Sequence, residues 1–310
     1  MSLHVVVGAG PVGSATARLL SERGDRVRVI TRRGAGPQHP GIERVAVDAA
    51  DTAAFRQAAA GATVIYNCAA PPYWRWTTDF PPLWASLLDA AEATGAVLAS
   101  TGNLYGYAPA TDPLTEDLPL EPTTVKGRVR ARMWMEALKR HRAGRIRAIE
   151  ARASDFVGAG ALTWLSETVI KPVAAGRRAS VPADLDAPHT WTYVGDVART
   201  LVTLAEEQRA WGAPWHVPSD APASVREIAA RVSALTGSPP PRLSVMPGAV
   251  LRAVGLLAPI AGPPAKLVRE LRELTHQRDR PWLVDSSAAT AAFGLKPTPL
   301  EEALRETVSA

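Results

Sequence analysis

The sequence has a single cysteine, Cys68, among its 310 residues, which excludes an internal disulfide and any cysteine-based zinc site. It also has no apolar run of the roughly 18–20 residues that a membrane helix needs. Its first residues lead directly into an apolar segment and lack the layout of a signal peptide. We therefore expect a cytoplasmic protein with no membrane partner and no metal site.

The sequence also lacks a strong charge of either sign. Its 35 basic and 30 acidic residues give a net charge of +5, spread along the chain. No basic stripe is interleaved with aromatic residues, so a nucleic-acid partner is not expected. The apolar residues, at 46%, are numerous enough for a folded core. The length suits a dinucleotide-binding domain and a smaller substrate lobe.

Short apolar runs alternate with helical patterns through the first half of the chain. This order predicts βαβ units, a parallel sheet and a doubly wound α/β Rossmann fold. We place the NADP(H)-binding domain at 1–157 and a smaller C-terminal α/β lobe, mainly for substrate, at 158–310, with segments returning to the first domain. The predicted strands are 3–7, 26–31, 44–47, 62–67, 96–100, 146–151 and 215–217, and the predicted helices include 12–23, 79–94 and 123–141.

A glycine motif, Gly8-Ala9-Gly10-Pro11-Val12-Gly13, follows the first predicted strand and opens a helix. In this context Gly8 permits the tight turn, Gly10 lets the backbone approach a pyrophosphate, and Gly13 lets the helix pack close to the strand. Pro11 and Val12 then lie at the helix N-terminus, where free N–H groups favour an anion. The motif predicts a dinucleotide site, with a ligand-free turn as the alternative.

The second predicted strand ends at Thr31-Arg32-Arg33, without the carboxylate that usually binds the ribose 2′-hydroxyl of NAD. Arginine pairs well with phosphate, so this pattern favours NADP(H) over NAD(H). The alternative is that Arg32 and Arg33 are ordinary surface charges. Asp48, which follows the third strand, is a candidate ligand of the adenine amino group or, equally, a helix N-cap.

Several later segments resemble the extended short-chain dehydrogenase/reductase family, also called the NAD-dependent epimerase/dehydratase family. The resemblance holds in order and spacing over nearly the whole chain, and implies a Rossmann fold and an NAD(P)-dependent enzyme. The glycine motif departs from the family's usual pattern, with Val7 where an earlier glycine would stand. The resembling segments are 100–106, 113–122, 152–158, 192–198 and 215–217.

The family's catalytic tyrosine and lysine are replaced here by Lys126 and Arg130. In the family the tyrosine passes a proton and the lysine holds the ribose. The spacing i, i+4 puts Lys126 and Arg130 on one helix face, so we expect both to point into one site. Residues 126–136 also resemble the lysine-containing helix of the isoflavone reductase-like and NmrA-like branch. That resemblance implies that Lys126 carries the proton and contacts the cofactor; a surface lysine on a degenerate site is the alternative.

The resemblance implies further site residues after the fifth strand. Thr101 falls at the family's catalytic Ser/Thr position and is expected to orient a substrate carbonyl, or else to cap the loop. Tyr105, structural in most members, is a reserve proton donor. Asn103, between them, is a candidate pocket residue.

The segment after the fourth strand supplies a second set of candidates. The family passes the nicotinamide ribose where this chain has Cys68, Ala69 and Ala70, and Cys68 is interpreted as a small buried residue. The aromatics that follow lie past a strand's carboxyl end, where open α/β sheets bind ligands. They are candidates for a pocket for a flat or apolar substrate, or for packing of the loop: Tyr73, Trp74 and Trp76.

These observations predict an NADP(H)-dependent oxidoreductase that acts on a small organic carbonyl or activated double bond. One alternative is a nucleotide-sugar-type epimerase or dehydratase, although the tyrosine used in those reactions is absent. The other alternative is a regulatory protein that senses NADP(H) without chemistry. A small-molecule substrate is the expected partner, and a homodimer is the candidate assembly.

Overall fold

The computed structural model describes residues 2–161, 163–247 and 272–309. Its strands are β1 (Leu3–Val7), β2 (Arg26–Thr31), β3 (Ile42–Ala46), β4 (Val64–Asn67), β5 (Val97–Asn103), β6 (Arg147–Ala153), β7 (Asp155–Val157), β8 (Ala179–Val181), β9 (Trp191–Tyr193), β10 (Pro214–His216) and β11 (Leu243–Val245). Its helices are α1 (Pro11–Glu22), α2 (Thr52–Ala58), α3 (Trp76–Thr94), α4 (Val125–Arg142), α5 (Lys171–Ala174), α6 (Val194–Glu206), α7 (Val225–Thr236), α8 (Ser287–Phe293) and α9 (Leu300–Ser309).

A seven-stranded parallel sheet forms the centre, in the order β10-β6-β5-β4-β1-β2-β3. Helices cover both of its faces, so most residues of its inner strands β1, β4, β5 and β6 are buried. In β1, Val5 and Val7 pack with α2, α3 and α4, whereas Val6 packs with α1 and α6 on the opposite face. The predicted doubly wound Rossmann fold is confirmed.

The second half of the chain is divided between the sheet and a separate lobe. The edge strand β10 pairs with β6, and α6 packs beside α1 under the sheet. The lobe contains two small parallel pairs, β8 with β11 and β7 with β9. Its own core includes Leu165, Val169, Ile228 and Leu304. Helix α6 and strand β10 thus belong to the sheet and its covering helices.

Two element boundaries near the cavity differ from those predicted. Strand β5 continues to Asn103 because its pairing with β6 persists as far as Asn103 opposite Ala153. Helix α3 begins at Trp76, since a 3-10 turn at Tyr73–Arg75 leads straight into it. The Trp76 Nε1–H donates to the Pro71 carbonyl at 2.9 Å and fixes this junction.

A buried polar network ties the sheet edge to the loops around it. Glu150 accepts from Arg152 Nε at 2.7 Å, and Arg152 Nη1 donates to Tyr107 Oη at 2.5 Å. Tyr107 lies 2.9 Å from His216 Nε2, while His216 Nδ1 lies 2.8 Å from the Asp285 carbonyl oxygen. Gly102 belongs to this arrangement, because a Cβ there would meet the Glu150 side chain at 2.6 Å.

The burial of three histidines predicts a loss of stability in mild acid. It is the largest cause that lowers the pKa of His4, His216 and His276. In the unfolded chain these histidines take up protons below about pH 6.5, whereas in the folded chain they do so only at lower pH. The free energy of unfolding therefore decreases as the pH falls below about 6.5. We expect the melting temperature to decrease from about pH 7.5 to about pH 5.5. His4→Asn should flatten this dependence; a melting temperature that is constant over the range would contradict the prediction.

Candidate active site

The glycine motif forms a cradle at the N-terminus of α1. Gly8 has φ +94°, and a Cβ there would lie 2.8 Å from the Ala69 backbone. A Cβ on Gly13 would overlap the Gly8 carbonyl oxygen, so the helix approaches the strand as closely as the motif predicts. A Cβ on Gly10 would have no neighbour within 4 Å. The backbone at Gly10 is therefore open to a ligand, and the cradle fits the pyrophosphate of a dinucleotide.

A cavity of about 1690 Å³ extends from this cradle across the carboxyl ends of β1, β2, β4 and β5 to the C-terminal lobe. This is the edge at which open α/β sheets bind ligands. Seven aromatic side chains are among the residues that line it: Tyr73, Trp74, Trp76, Tyr105, Phe156, Trp164 and Trp282. The predicted cofactor residues that line it are Gly8, Gly10, Pro11, Val12, Thr31, Arg32, Asp48, Cys68, Ala69 and Ala70.

The end of β2 brings one of the two predicted arginines to the cavity. Both arginines are exposed, but only Arg32 is among the residues that line the cavity. Asp48 also lines it, and its carboxylate accepts from the Ala50 N–H at 3.0 Å. The alternative that Asp48 is a helix N-cap is wrong. The N-cap of α2 is Asp51, whose carboxylate accepts from the N–H groups of Ala53 and Ala54 in the first turn.

Thr101 and Cys68 face each other at the ends of adjacent strands. The Thr101 hydroxyl donates to Cys68 Sγ at 3.7 Å, and both residues line the cavity. Burial raises the pKa of the Cys68 thiol to about 11. The thiol is thus protonated at neutral pH, which argues against a nucleophile, while the residue itself is half-buried rather than buried as predicted.

Arg130 places a buried positive charge in the cavity wall. Its side chain lies over the Trp76 ring at 4.8 Å and the Phe80 ring at 4.6 Å, and Nη1 donates to the Thr101 carbonyl at 3.3 Å. Burial lowers the pKa of this guanidinium. Its Nε has no hydrogen-bond partner within the described part of the chain. The contact of Arg130 with a cofactor ribose stays a prediction.

Lys126 lies one helical turn earlier, in a different environment. It is 2% exposed, and its Nζ lies 3.2 Å from Glu273 Oε2. Arg130 is among the residues that line the cavity, and Lys126 is not. The helix spacing could not reveal this, because Glu273 follows 147 residues later. The role of Lys126 as proton carrier stays a prediction.

The predicted aromatic segment contributes a hydroxyl group as well as rings. Tyr73 Oη lies 2.9 Å from Tyr105 Oη, and both residues line the cavity. The Trp76 ring stacks on Tyr73 at 4.8 Å and on Tyr105 at 5.9 Å. Asn103, also at the cavity, accepts from the Tyr105 N–H at 3.2 Å and holds the turn. The sequence predicted these residues separately and missed the contact between the two hydroxyls.

The far wall of the cavity was missed by the sequence analysis. Asp155 accepts from Trp164 Nε1 at 3.0 Å and lies 3.3 Å from His189 Nε2. Burial opposes its ionisation, but His189 and Trp164 keep the pKa of Asp155 below its usual value. The only signal was the resembling segment 152–158, which contains Asp155. The other polar residues of this wall include Thr168, Asp184, Gln277 and Arg278.

Two further classes of site can be judged over residues 2–161, 163–247 and 272–309. No helix in these ranges is long and apolar enough to span a membrane. No group of histidine, cysteine and acidic residues there could hold a metal ion.

Comparisons with known proteins agree with this geometry. A search of curated proteins finds no match. Among solved structures, a putative epimerase from Burkholderia cenocepacia is 22% identical, with a TM-score of 0.78 over 99% of this chain and 97% of that chain. The UDP-glucose 4-epimerase of Thermus thermophilus, in complex with NAD, is 17% identical, with a TM-score of 0.75 over 99% of this chain and 98% of that chain. These likenesses show the fold.

The family is shown by a direct match of the sequence. The model of the NAD dependent epimerase/dehydratase family matches residues 4–217, which include the glycine cradle, the ends of β4 and β5, and helix α4. The replaced tyrosine and lysine positions lie within this match. The chain belongs to the NAD-dependent epimerase/dehydratase family.

Proposed function

We propose that the protein is an NADP(H)-dependent oxidoreductase that acts on a small organic carbonyl or activated double bond. The observation that carries the proposal is the continuity of one cavity, which joins the Gly10 cradle to Arg130, Thr101 and an aromatic wall. When bound, the nicotinamide supplies or accepts a hydride. The aromatic wall suits a flat or apolar substrate and excludes water from it.

Each part of the wall has a defined task in this proposal. The N–H groups at the start of α1 hold the pyrophosphate, and Arg130 donates to ribose hydroxyls through its buried guanidinium. Thr101 orients the substrate oxygen with its hydroxyl, which otherwise contacts Cys68. Because Arg130 does not release its proton in proteins, it supplies charge and hydrogen bonds rather than acid–base chemistry.

Arg32 is proposed to select NADP(H) through the 2′-phosphate. We expect Arg32→Ala to weaken NADPH binding by about ten- to a hundredfold and to leave NADH binding nearly unchanged, because a charged hydrogen bond contributes roughly 1.5–3 kcal/mol. Fluorescence titration with each cofactor measures this. Arg18→Ala, an exposed arginine on α1 outside the cavity, is the control. Equal affinities for NADPH and NADH in the unmutated protein would overturn the preference.

The predicted role of Lys126 is tested by exchanging it for arginine. If Lys126 carries the proton, Lys126→Arg and Lys126→Met should both lose about 10²- to 10⁴-fold in kcat, since arginine keeps the charge but not the acid–base function. Full turnover in Lys126→Arg would instead leave Lys126 as the ion-pair partner of Glu273. Cofactor affinity and melting temperature, measured in parallel, separate loss of chemistry from loss of structure.

A second candidate function is a nucleotide-sugar epimerase or dehydratase. It is favoured by the family of the chain and by the Thermus neighbour, a UDP-glucose 4-epimerase. One screen distinguishes the candidates: ketones, quinones and enones with NADPH, followed by cofactor absorbance, and UDP-hexoses with NAD, followed by product analysis. Turnover of a UDP-hexose without carbonyl reduction would favour the epimerase. Tight cofactor binding without any turnover would favour a sensing protein.

A further inference from the structure

An oxidoreductase of this kind needs a group at the cavity wall that can give a proton to the substrate oxygen and recover it. The family's tyrosine position holds Lys126, whose ammonium is engaged with Glu273 outside the lining. A phenol is nevertheless present at the wall, supplied by a different element. Tyr73 follows β4, and its hydroxyl lies against that of Tyr105, which follows β5.

We propose that Tyr73 is the proton-carrying residue of the cavity, that Tyr105 positions it and stabilises its ionised form by a hydrogen bond, and that Arg130 supplies the neighbouring positive charge. The proposal rests on the proposed function and deepens it. It assigns to three side chains from three separate elements the work that the family's tyrosine and lysine perform on one helix.

The three groups form one contiguous cluster. Arg130 and Tyr73 both contact the Trp76 side chain, at 4.8 Å from its rings in each case. Arg130 also donates to the Thr101 carbonyl, which places the cluster beside Thr101, the residue expected to orient the substrate. The Tyr73 and Tyr105 hydroxyls are 2.9 Å apart, within hydrogen-bond distance. A phenolate at Tyr73 would therefore have a donor and a cation close to it.

Geometry favours Tyr73 over Tyr105 as the group that ionises, because the Tyr73 ring lies 4.8 Å and the Tyr105 ring 5.9 Å from the Trp76 ring that Arg130 covers. Burial raises the pKa of Tyr73, the hydrogen bond from Tyr105 and the charge of Arg130 lower it, and Asp155 raises it. Burial is also the largest cause that raises the pKa of Tyr105. Tyr73 is thus protonated at neutral pH, ready to act as an acid, and Tyr105 remains the donor when Tyr73 gives up its proton.

The proposed step is balanced. In carbonyl reduction the C=O carbon is reduced by the hydride of NADPH, which is oxidised, and the C=O oxygen takes the phenolic proton of Tyr73 to give an alcohol. The Tyr73 phenolate then accepts a hydrogen bond from Tyr105 until a solvent proton restores it. In the oxidative direction the Tyr73 phenolate takes the hydroxyl proton of the alcohol, and the alcohol carbon gives its hydride to NADP⁺.

Turnover of NADPH with ketones, quinones and enones tests the assignment, using Tyr73→Phe, Tyr105→Phe and the control Tyr193→Phe. Tyr193 lies outside the cavity lining and bonds Glu306, so its variant removes one hydroxyl elsewhere. We expect Tyr73→Phe to lose about 10²- to 10⁴-fold in kcat with cofactor affinity and melting temperature retained. Tyr105→Phe should lose less kcat. It should also shift the pH profile of kcat to higher pH, because the Tyr73 phenolate loses its hydrogen-bond donor and the pKa of Tyr73 rises.

A second readout needs no substrate. Bound NADP⁺ places a positive nicotinamide in the same cavity, which should lower the pKa of Tyr73. Ultraviolet difference spectra should therefore show phenolate at lower pH with NADP⁺ than without it, in the unmutated protein and in Tyr193→Phe. The shift should be absent in Tyr73→Phe. A structural role for Tyr73 would not produce this signature.

The outcomes separate the two proposals. Failure to bind either NADP(H) or NAD(H) overturns the proposed function, and the Tyr73 assignment with it. Cofactor binding with no cofactor-dependent phenolate shift overturns the Tyr73 assignment alone. Full kcat in a folded Tyr73→Phe variant also overturns the Tyr73 assignment. A loss of kcat in Lys126→Arg would in that case assign the proton transfer to Lys126.

Discussion

A folded Gly10→Val variant should lose cofactor binding. Gly10 caps α1 with extended backbone, φ −69° and ψ −175°, and a Cβ there meets nothing within 4 Å, so valine causes no clash within the protein. Its isopropyl group would instead fill the space that the pyrophosphate needs. We expect NADPH affinity to decrease by at least about 100-fold, or roughly 2.7 kcal/mol, with little change in melting temperature.

The last glycine of the motif, Gly13, gives a contrasting result. A Cβ on Gly13 would overlap the Gly8 carbonyl oxygen, so Gly13→Val should damage folding itself. Ala93→Val, an exposed position on α3 outside the cavity, controls for the introduction of valine into a helix. Titration of NADPH fluorescence and thermal melts measure both effects. Unchanged affinity in folded Gly10→Val would show that the glycine cradle is only a turn.

The second large effect is on stability and comes from Glu150. Its carboxylate is 6% exposed and pairs with Arg152, which is 3% exposed. Glu150→Ala leaves the guanidinium buried without this partner, and breaking a buried pair in this way costs about 3–5 kcal/mol. We expect a loss of that size in the free energy of unfolding, measured by urea denaturation. The hydroxyl of Tyr107 remains as a partner of Arg152 and limits the loss.

A matched double variant tests the physical reason. Glu150→Leu combined with Arg152→Met removes both charges and keeps the volume, so it should recover most of the stability lost in Glu150→Ala. Tyr107 and His216, 2.9 Å apart, are unaltered by the exchange and can keep their contact. If the double variant is as unstable as Glu150→Ala, the cost arises from packing around the network rather than from an uncompensated charge.

The sequence predicted most of the sheet because its signals are local. Strands β1 and β2 have the predicted bounds, since an apolar run ending in glycine and an alternating run ending in arginines are contained within single segments. The geometry of the glycine motif was likewise accessible from Gly8, Gly10 and Gly13. The end of β5 was not, because only its pairing with β6 extends it to Asn103.

The candidate site was predicted less completely, because its contacts join distant segments. The i, i+4 rule related Lys126 to Arg130, but it contains no information about Glu273, which engages Lys126. Tyr73 and Tyr105 were both singled out, yet their contact depends on β4 and β5 being neighbours in the sheet. The far wall, which includes Gln277, has a single local signal, the resembling segment that contains Asp155.

The span of the cavity has a consequence for biosynthesis. Its walls include Val7 near the start of the sequence and Trp282 near the end. Domains fold from the N-terminal side as the ribosome releases them, so the parallel sheet can begin to assemble long before this pocket is complete. A nascent chain would become competent for ligand only after the segment that contains Trp282 has been synthesised. Ligand that binds the finished pocket would then stabilise both ends of the chain together, and should slow proteolysis of the C-terminal segment.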